Sequence, residues 1–388
     1  MTERLYYTDS YLRHFTASIV GRSADNQTVY LDRTAFYPTS GGQPSDTGSL
    51  SGIPVVDVID EDDRIAHRLA APAPAAPQVE CAVDWDRRFD HMQQHTGQHL
   101  LSAVFEELYR LKTVSFHLGA ESSTIDLDGA PVDAHVLAAV ERRANEVVWQ
   151  DRPVTVDFRH AAEAQGLRKP SERAGTLRIV SIDDIDRSAC GGTHVHRTGE
   201  IGAILLRRAE KIRQSARVEF LCGGRAIRRA HADYDALARA AQLFSSPLDD
   251  VPSAISAELE ALRAAEKARK KLEIDLAAYQ GRELYDATAP GLDGVRRVTR
   301  SLDHGSADEL RSLAQNFTAR EKAAFLAAIA DPPSVLLAVS ADSGIDAGKL
   351  VKEAVQAAGG RGGGTPRIAQ GSVPNIAALE AVLRRLQA

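Results

Sequence analysis

Over residues 1–90 the apolar residues fall in short β-branched runs separated by polar and glycine-containing breaks. Ala17-Ser18-Ile19-Val20, Gln27-Thr28-Val29-Tyr30-Leu31, Pro54-Val55-Val56-Asp57-Val58-Ile59 and Gln78-Val79-Glu80-Cys81-Ala82-Val83 each read as a strand. Short strands at this spacing predict a small barrel or sandwich-like unit over 1–90. Phe36-Tyr37-Pro38-Thr39-Ser40-Gly41-Gly42-Gln43-Pro44 interrupts them as a turn-rich loop.

The period then changes. Leu100, Leu101, Val104, Phe105, Leu108 and Leu111 recur at helical spacing, predicting a helix over 90–112 with Asp90 as N-cap. Thr113–Leu118 alternates strictly and reads as a strand, with Thr124–Leu127 as its partner. A second helix is predicted over 131–150, with Val136, Leu137, Val140, Val147 and Val148 facing a core. Strands at Val154–Val156 and Leu177–Val180 follow. The stretch 91–225 is therefore an α+β core.

From 226 to 285 the chain reads as helix. Ile255, Leu259, Leu262, Leu272 and Leu276 form a thin apolar row that also carries Lys267-Ala268-Arg269-Lys270-Lys271. That row suits a long exposed helix or a helical hairpin acting as spacer or coiled-coil surface. It is too thin for a self-sufficient core, so a homodimer through the helical and C-terminal regions is expected. Residues 286–388 form a separate α/β unit. It has a strand at Ser334–Val339, a helix over 347–358 and then a glycine-rich loop. The fold class expected is α+β and multidomain.

Composition narrows the partners only a little. Hydrophobic residues are 44% and charged residues 26% of 388, ordinary for a globular chain. A net charge of −6 is unlike that of a nucleic-acid coat protein, yet a local basic stripe is enough to hold phosphates. The first fifteen residues lack a secretory pattern and no stretch is long and apolar enough to span a membrane. Three scattered cysteines, Cys81, Cys190 and Cys222, make no disulfide framework. A reducing, cytoplasmic setting is expected, where a Cys beside a His is read first as a metal ligand.

Two such pairs exist. His95 and His99 lie at i and i+4 of the helix, on one face. Cys190 and His194 flank Gly191-Gly192-Thr193, a turn able to bring them together. Three nitrogens and one sulfur suit tetrahedral zinc, one ion per chain. His91 and His95 have the same spacing, so spacing alone leaves His91 a rival ligand.

Phe36-Tyr37-Pro38 with Gly41-Gly42-Gln43-Pro44-Ser45-Asp46-Thr47-Gly48, then His95-Thr96-Gly97-Gln98-His99-Leu100-Leu101-Ser102, then Cys190-Gly191-Gly192-Thr193-His194 follow in that order. This order resembles the alanyl-tRNA editing proteins, free-standing relatives of the editing domain of alanyl-tRNA synthetase. Gly359-Gly360-Arg361-Gly362-Gly363-Gly364 with Ala369-Gln370-Gly371 resembles the glycine-rich signature of a DHHA1 domain. The resemblance runs from about Tyr6 to the end. It implies deacylation of tRNA(Ala) carrying Ser or Gly by mistake. It also implies that His95 and His99 are the ligand pair, leaving His91 structural or an RNA neighbour. Ser40 departs from the three glycines that many relatives have before the glutamine.

The resemblance implies a site beside the loop of Gln43. Gln43 and Gln98 are candidate catalytic amides, with Gly42 and Gly191 against the substrate. Alternation puts Thr113, Ser115 and His117 on one strand face. There Thr113 is a candidate substrate contact, and Ser115 and His117 are candidate catalytic groups. Arg207, Arg208, Lys211 and Arg213 follow the Cys-His turn and are candidate tRNA contacts, with Arg217, Arg225, Arg228 and Arg229 beyond them. Gly360, Arg361, Gly362 and Gly363 are candidates to cradle phosphate. Two alternatives stay open: a tRNA-binding module with purely structural zinc, and a phosphoesterase of the DHH type. The latter needs an Asp-His-His set, and Asp303-His304-Gly305 is the nearest run.

Overall fold

A computed structural model of the chain describes residues 1–388 except 130, 171–173, 305, 306 and 388, with side chains left out also at 304 and 307–309. Gly305 of the Asp-His-Gly run thus lies outside the described residues. The chain packs as two compact units, Met1–Arg239 and Ala240–Ala388.

The first unit opens on a closed antiparallel barrel of six strands. Around it run His14–Arg22, Thr28–Leu31, Arg64–Leu69, Ile53–Glu61, Gly48–Leu50 and Gln78–Val83, which pairs back to the first. Its interior is filled by Val29, Leu31, Leu50, Val55, Val58, Ile65 and Val79. The loop Phe36–Pro44 leaves the barrel wall and is tied down by Asp46. The Asp46 carboxylate accepts from the Tyr37 N–H at 2.6 Å, and the Asp46 N–H donates to Tyr37 O at 2.9 Å.

Helix α1, Trp85–Tyr109, follows directly. It starts five residues before the predicted position. Asp84, not Asp90, is the N-cap, accepting from the Arg87 N–H at 3.3 Å, and Asp90 instead pairs with Arg225. Arg88 on α1 is fully buried and ion-paired to the fully buried Asp46. It also donates to Ser10 O at 2.8 Å and Ala35 O at 2.5 Å. This pair fixes α1 to the base of the Phe36–Pro44 loop.

Helix α2, Ala134–Trp149, packs with α1 against a four-stranded antiparallel sheet. The strand order is Ile204–Ile212, Ser215–Cys222, Ser123–Asp128, Thr113–Leu118. A second sheet, Val154–His160, Thr176–Ile182 and Asp186–Ala189, ends at Cys190. Helix α3, Gly223–Phe244, begins at the end of the first sheet.

The second unit begins with the end of α3 and holds α4, Val251–Ala287, a single helix of 37 residues rather than a hairpin. Leu259, Leu262, Leu272, Ile274 and Leu276 on it are at least half exposed. A five-stranded sheet follows. Arg296–His304 pairs in parallel with Ala323–Asp331, then Ser334–Val339, Ile368–Ser372 and Arg361–Gly364 pair antiparallel. Helix α5, Ala307–Phe317, contributes Ala314 and Phe317 to the core on one side. Helices α6, Ala347–Ala357, and α7, Ile376–Gln387, close the other. The glycine-rich segment predicted as a loop is the edge strand Arg361–Gly364. A Cβ at Gly362 would stand 2.8 Å from Gly371 Cα, so the glycines let two strands and α6 approach closely. Among the described residues no helix is long and apolar enough to cross a membrane.

Candidate metal centre

Helix α1 carries His95 and His99 one turn apart on a buried face, and the turn after Asp186–Ala189 brings Cys190 and His194 opposite them. One ligand atom from each of the four lies within 4.8 Å of all the others. Cys190 Sγ is 3.4 Å from His95 Nε2 and 3.3 Å from His194 Nε2. Ligand atoms around a tetrahedral ion at zinc-like bond lengths stand roughly 3.3–3.8 Å apart, so the cluster could hold a metal ion without rearrangement of the chain.

Each imidazole is held through its other nitrogen. His95 Nδ1 meets Gln43 Oε1 at 2.8 Å, His99 Nδ1 meets Asp186 Oδ2 at 2.8 Å, and His194 Nδ1 meets Thr96 Oγ1 at 3.1 Å. Partners at Nδ1 fix the ring and direct Nε2 at the ion. Burial works against the charge of Asp186, yet His99 and Arg168 hold its carboxyl down to about 2. Burial likewise opposes ionisation of Cys190. The neighbouring His95 and His194 nonetheless draw its thiol well below the usual range, towards the thiolate a metal requires.

Gln43 lies behind His95, bonded to the ring and to the Cys-His turn. Its oxygen accepts from His95 and from the Thr193 N–H at 3.2 Å, and its amide donates to Thr193 Oγ1 at 2.8 Å. With no exposure left, it faces His95 and Thr193 and is not among the residues that line the cavity over the cluster. Gln43→Ala is expected to weaken metal affinity about 10- to 100-fold, read by competition with a chromophoric chelator. Unchanged affinity would refute the assignment.

A cavity of about 530 Å³ opens onto the cluster, lined by His95, Gln98, His99, Cys190 and Gly191, with Tyr7, Tyr37 and Arg178 on its wall. Gln98 donates to Ser102 Oγ at 2.7 Å, and so does Thr113 Oγ1 at 2.7 Å. Of the face expected for Thr113, Ser115 and His117, Thr113 and Ser115 line the cavity and His117 does not. Thr113 pairs with Leu127 and Ser115 with Asp126, leaving Val114 as an extra residue. This one-residue slip is a β-bulge. Thr113 turns to the cavity side, with Phe116 stacked 5.5 Å from the His95 ring. Ser115 is exposed and donates to Asp126 at 2.6 Å, and His117 is exposed beside Thr124.

Gly42 has φ +85° and, with Gly41, forms the tight turn whose Ser40 and Gln43 bond each other's backbone. Gly191 and Gly192 differ sharply. A Cβ at Gly192 would fall 2.2 Å from His95 Cε1, whereas at Gly191 the nearest atom is the Tyr7 hydroxyl at 3.7 Å. Gly192→Ala is expected to displace His95 and lower the bound-metal stoichiometry, and Gly191→Ala to leave it at one per chain. Elemental analysis of both variants checks this contrast.

His91 is not in the cluster; it faces a separate cavity one turn earlier on α1. The basic cluster is mostly paired: Arg207 and Arg229 with Asp233, Arg208 with Glu210 and Glu219, and Arg217 with Asp126. Lys211 and Arg213 are exposed at the hairpin tip. In the second unit, Arg361, Gly362 and Gly363 line a cavity of about 460 Å³ with Gln370.

Sequence reading missed Asp186, Thr96 and Arg178. Arg178 is 8% exposed and donates to Tyr7 O, Cys190 O and Gly192 O at 2.8–2.9 Å, shaping the ligand turn, while its Nη2 lacks a partner among the described residues. An arginine inside the β-branched run Leu177–Val180 was the one available signal.

With this geometry in view, similarity to known proteins defines the class. Residues 177–217 match the family model described as the threonyl and alanyl tRNA synthetase second additional domain, and 296–388 match the DHHA1 domain. Alanyl-tRNA editing protein AlaX-L of Pyrococcus horikoshii is 32% identical, over 96% of this chain and 95% of its own. Alanyl-tRNA editing protein Aarsd1 of Mus musculus is 32% identical over 82% and 81%. An alanine–tRNA ligase of Pyrococcus abyssi is 30% identical over 99% of this chain and 44% of its own length. The chain belongs to the alanyl-tRNA editing protein family.

Proposed function

We propose that this protein hydrolyses the ester of tRNA(Ala) mischarged with Ser or Gly, acting in trans with one zinc ion held by His95, His99, Cys190 and His194. The observation that carries the reading is the buried three-imidazole, one-thiolate cluster at the floor of a cavity, in a chain similar end to end to an editing protein. The donor set suits zinc. Bound there, zinc can polarise an ester carbonyl, lower the pKa of water or orient the substrate.

The chain's own groups supply the rest. Gln43, Asp186 and Thr96 hold the imidazoles. Arg178 braces the ligand turn and offers Nη2 to substrate. Thr113, Ser102 and Gln98 form a hydroxyl and amide row that can bond a seryl hydroxyl. Alanine would leave such groups unpaired, and that is a strong basis for rejection. Lys211, Arg213 and Arg361 are the exposed cations offered to RNA phosphates.

One observation favours a second reading. Four protein ligands complete a tetrahedral shell, the mark of a structural ion. Deacylation of Ser-, Gly- and Ala-tRNA(Ala) by metal-depleted and reconstituted protein separates the two. Metal-dependent hydrolysis of the Ser or Gly ester, with the Ala ester spared, is the expected result. Equal and metal-independent rates for all three would refute the proposal. RNA binding without hydrolysis would favour the second reading.

A further inference from the structure

Beside the metal centre lies a second cavity of the same unit, about 550 Å³, on the other side of the Ser40–Gln43 turn. Pro44 lines this one and Gly41 the other. Its walls are His91 and Arg87 from α1 and Gly224, Arg225 and Arg228 from the first turn of α3. His91 is 3% exposed, and its Nδ1 is buried with no hydrogen-bond partner among the described residues. A buried polar nitrogen left alone costs about 1–3 kcal/mol, so a ring in this position points to a partner that arrives from outside.

The surroundings say what charge that partner carries. Helix α3 is 22 residues long and starts at the cavity. The Cys222 N–H is taken by Gln94 Oε1 and the Gly223 N–H by Ala203 O, each at 2.9 Å, but the next two N–H groups have no intrahelical acceptor, and the helix dipole adds positive potential there. Arg228 has no hydrogen bond or ion pair among the described residues, and its Nη1 lies 3.1 Å from where a Cβ of Gly224 would stand, over that same turn. Arg87 spends Nε on Ser45 O at 2.9 Å and keeps its terminal nitrogens.

Two carboxylates line the cavity too. Asp90 is neutralised by Arg225 at 2.6 Å, with Arg225 Nη1 anchored to Gly119 O at 2.7 Å. Asp86 is exposed at the rim. The cavity is left with the Arg228 guanidinium, the terminal nitrogens of Arg87, two helix N–H groups and a lone imidazole nitrogen. Burial, then Arg87, press the His91 pKa down to about 4, so its ring is neutral and can donate one N–H to an anion.

We propose that this cavity is an oxyanion site that takes a backbone phosphodiester of the RNA strand whose 3′ end reaches the metal centre. This rests on the hydrolase reading above. His91 precedes His95 by four residues, roughly 6 Å along the helix axis, so one strand can occupy both cavities. Arg228 and His91 then set the register of the strand, and the metal centre acts on its end.

Two arms test this on the full chain. In the first, inorganic phosphate is titrated while the His91 ring nitrogens are followed by NMR across pH. Saturable shifts and a His91 pKa raised by at least about one unit are expected, both lost in Arg228→Ala. In the second, Arg228→Ala is expected to raise KM for mischarged tRNA about tenfold with kcat unchanged, and to reduce the salt slope of binding by about one. Hydrolysis of a seryl-adenosine ester, which has no phosphodiester, is expected to be equal in both proteins. Arg228 is exposed, so its loss is not a folding lesion. An unmoved His91 overturns the site. A moved His91 with unchanged tRNA KM overturns the RNA assignment and leaves a site for free phosphate. If neither ester is hydrolysed by the wild type, the hydrolase reading fails while the phosphate arm still decides the site.

Discussion

Cys190→Ala is expected to release the metal and to lower kcat/KM for Ser-tRNA(Ala) on the order of 10³-fold. Removing the one thiolate leaves three neutral imidazoles, a poorer set for a dication. A metal at an ester carbonyl is worth several kcal/mol of transition-state stabilisation, and each 1.36 kcal/mol is tenfold in rate. The side chain is also structural to the turn, since the Gly192 N–H donates to Cys190 Sγ at 3.4 Å. Elemental analysis and single-turnover deacylation read the two effects separately. If metal is lost while the rate persists, the ion is not catalytic. Cys190→His offers a fourth nitrogen, and partial recovery of metal in that variant would identify charge rather than shape as the larger part of the loss.

The second large effect belongs to the pair that joins the barrel to α1. Asp46→Asn leaves the guanidinium of Arg88 wholly buried without its counter-charge, and breaking such a pair costs about 3–5 kcal/mol. For a unit of this size the melting temperature is expected to fall on the order of 10 °C, read by calorimetry. A fall below about 2 °C would show that the remaining carbonyls, Ser10 O and Ala35 O, satisfy Arg88 alone. The Asp46→Leu, Arg88→Met double variant is expected to recover part of the loss, because it removes the buried charge as well as its partner. Metal affinity is expected to weaken in Asp46→Asn too, since Asp46 anchors the loop that presents Gln43 to His95.

Sequence reading served best where chemistry depends on neighbours along the chain. The i, i+4 spacing of His95 and His99 is a property of any helix, and the Cys190–His194 turn is closed within five residues. The alternation of apolar residues in Val29–Leu31 and Val79–Val83 reflects a wall with one buried face. The thin apolar row from Ile255 to Leu276 implies a helix but not its unbroken length, because spacing does not show whether a chain reverses. Helix α1 was mis-started because two aspartates, Asp84 and Asp90, are equally good caps in sequence. Asp84 caps, and Asp90 inside the helix pairs with Arg225, 135 residues away.

By itself, the sequence determined the strand-rich start, the helical His95–His99 pair, the glycine turn and the order in which the motifs appear. Each of these rests on contacts a few residues apart. Only the tertiary structure decided that Gln43 is buried against His95 and Thr193, that Thr113 and Ser115 line the cavity while His117 does not, and that His91 faces its own cavity. Gln43 depends on partners 52 and 150 residues distant, and the strand face on a one-residue slip in register. Neither leaves a periodic trace in the chain.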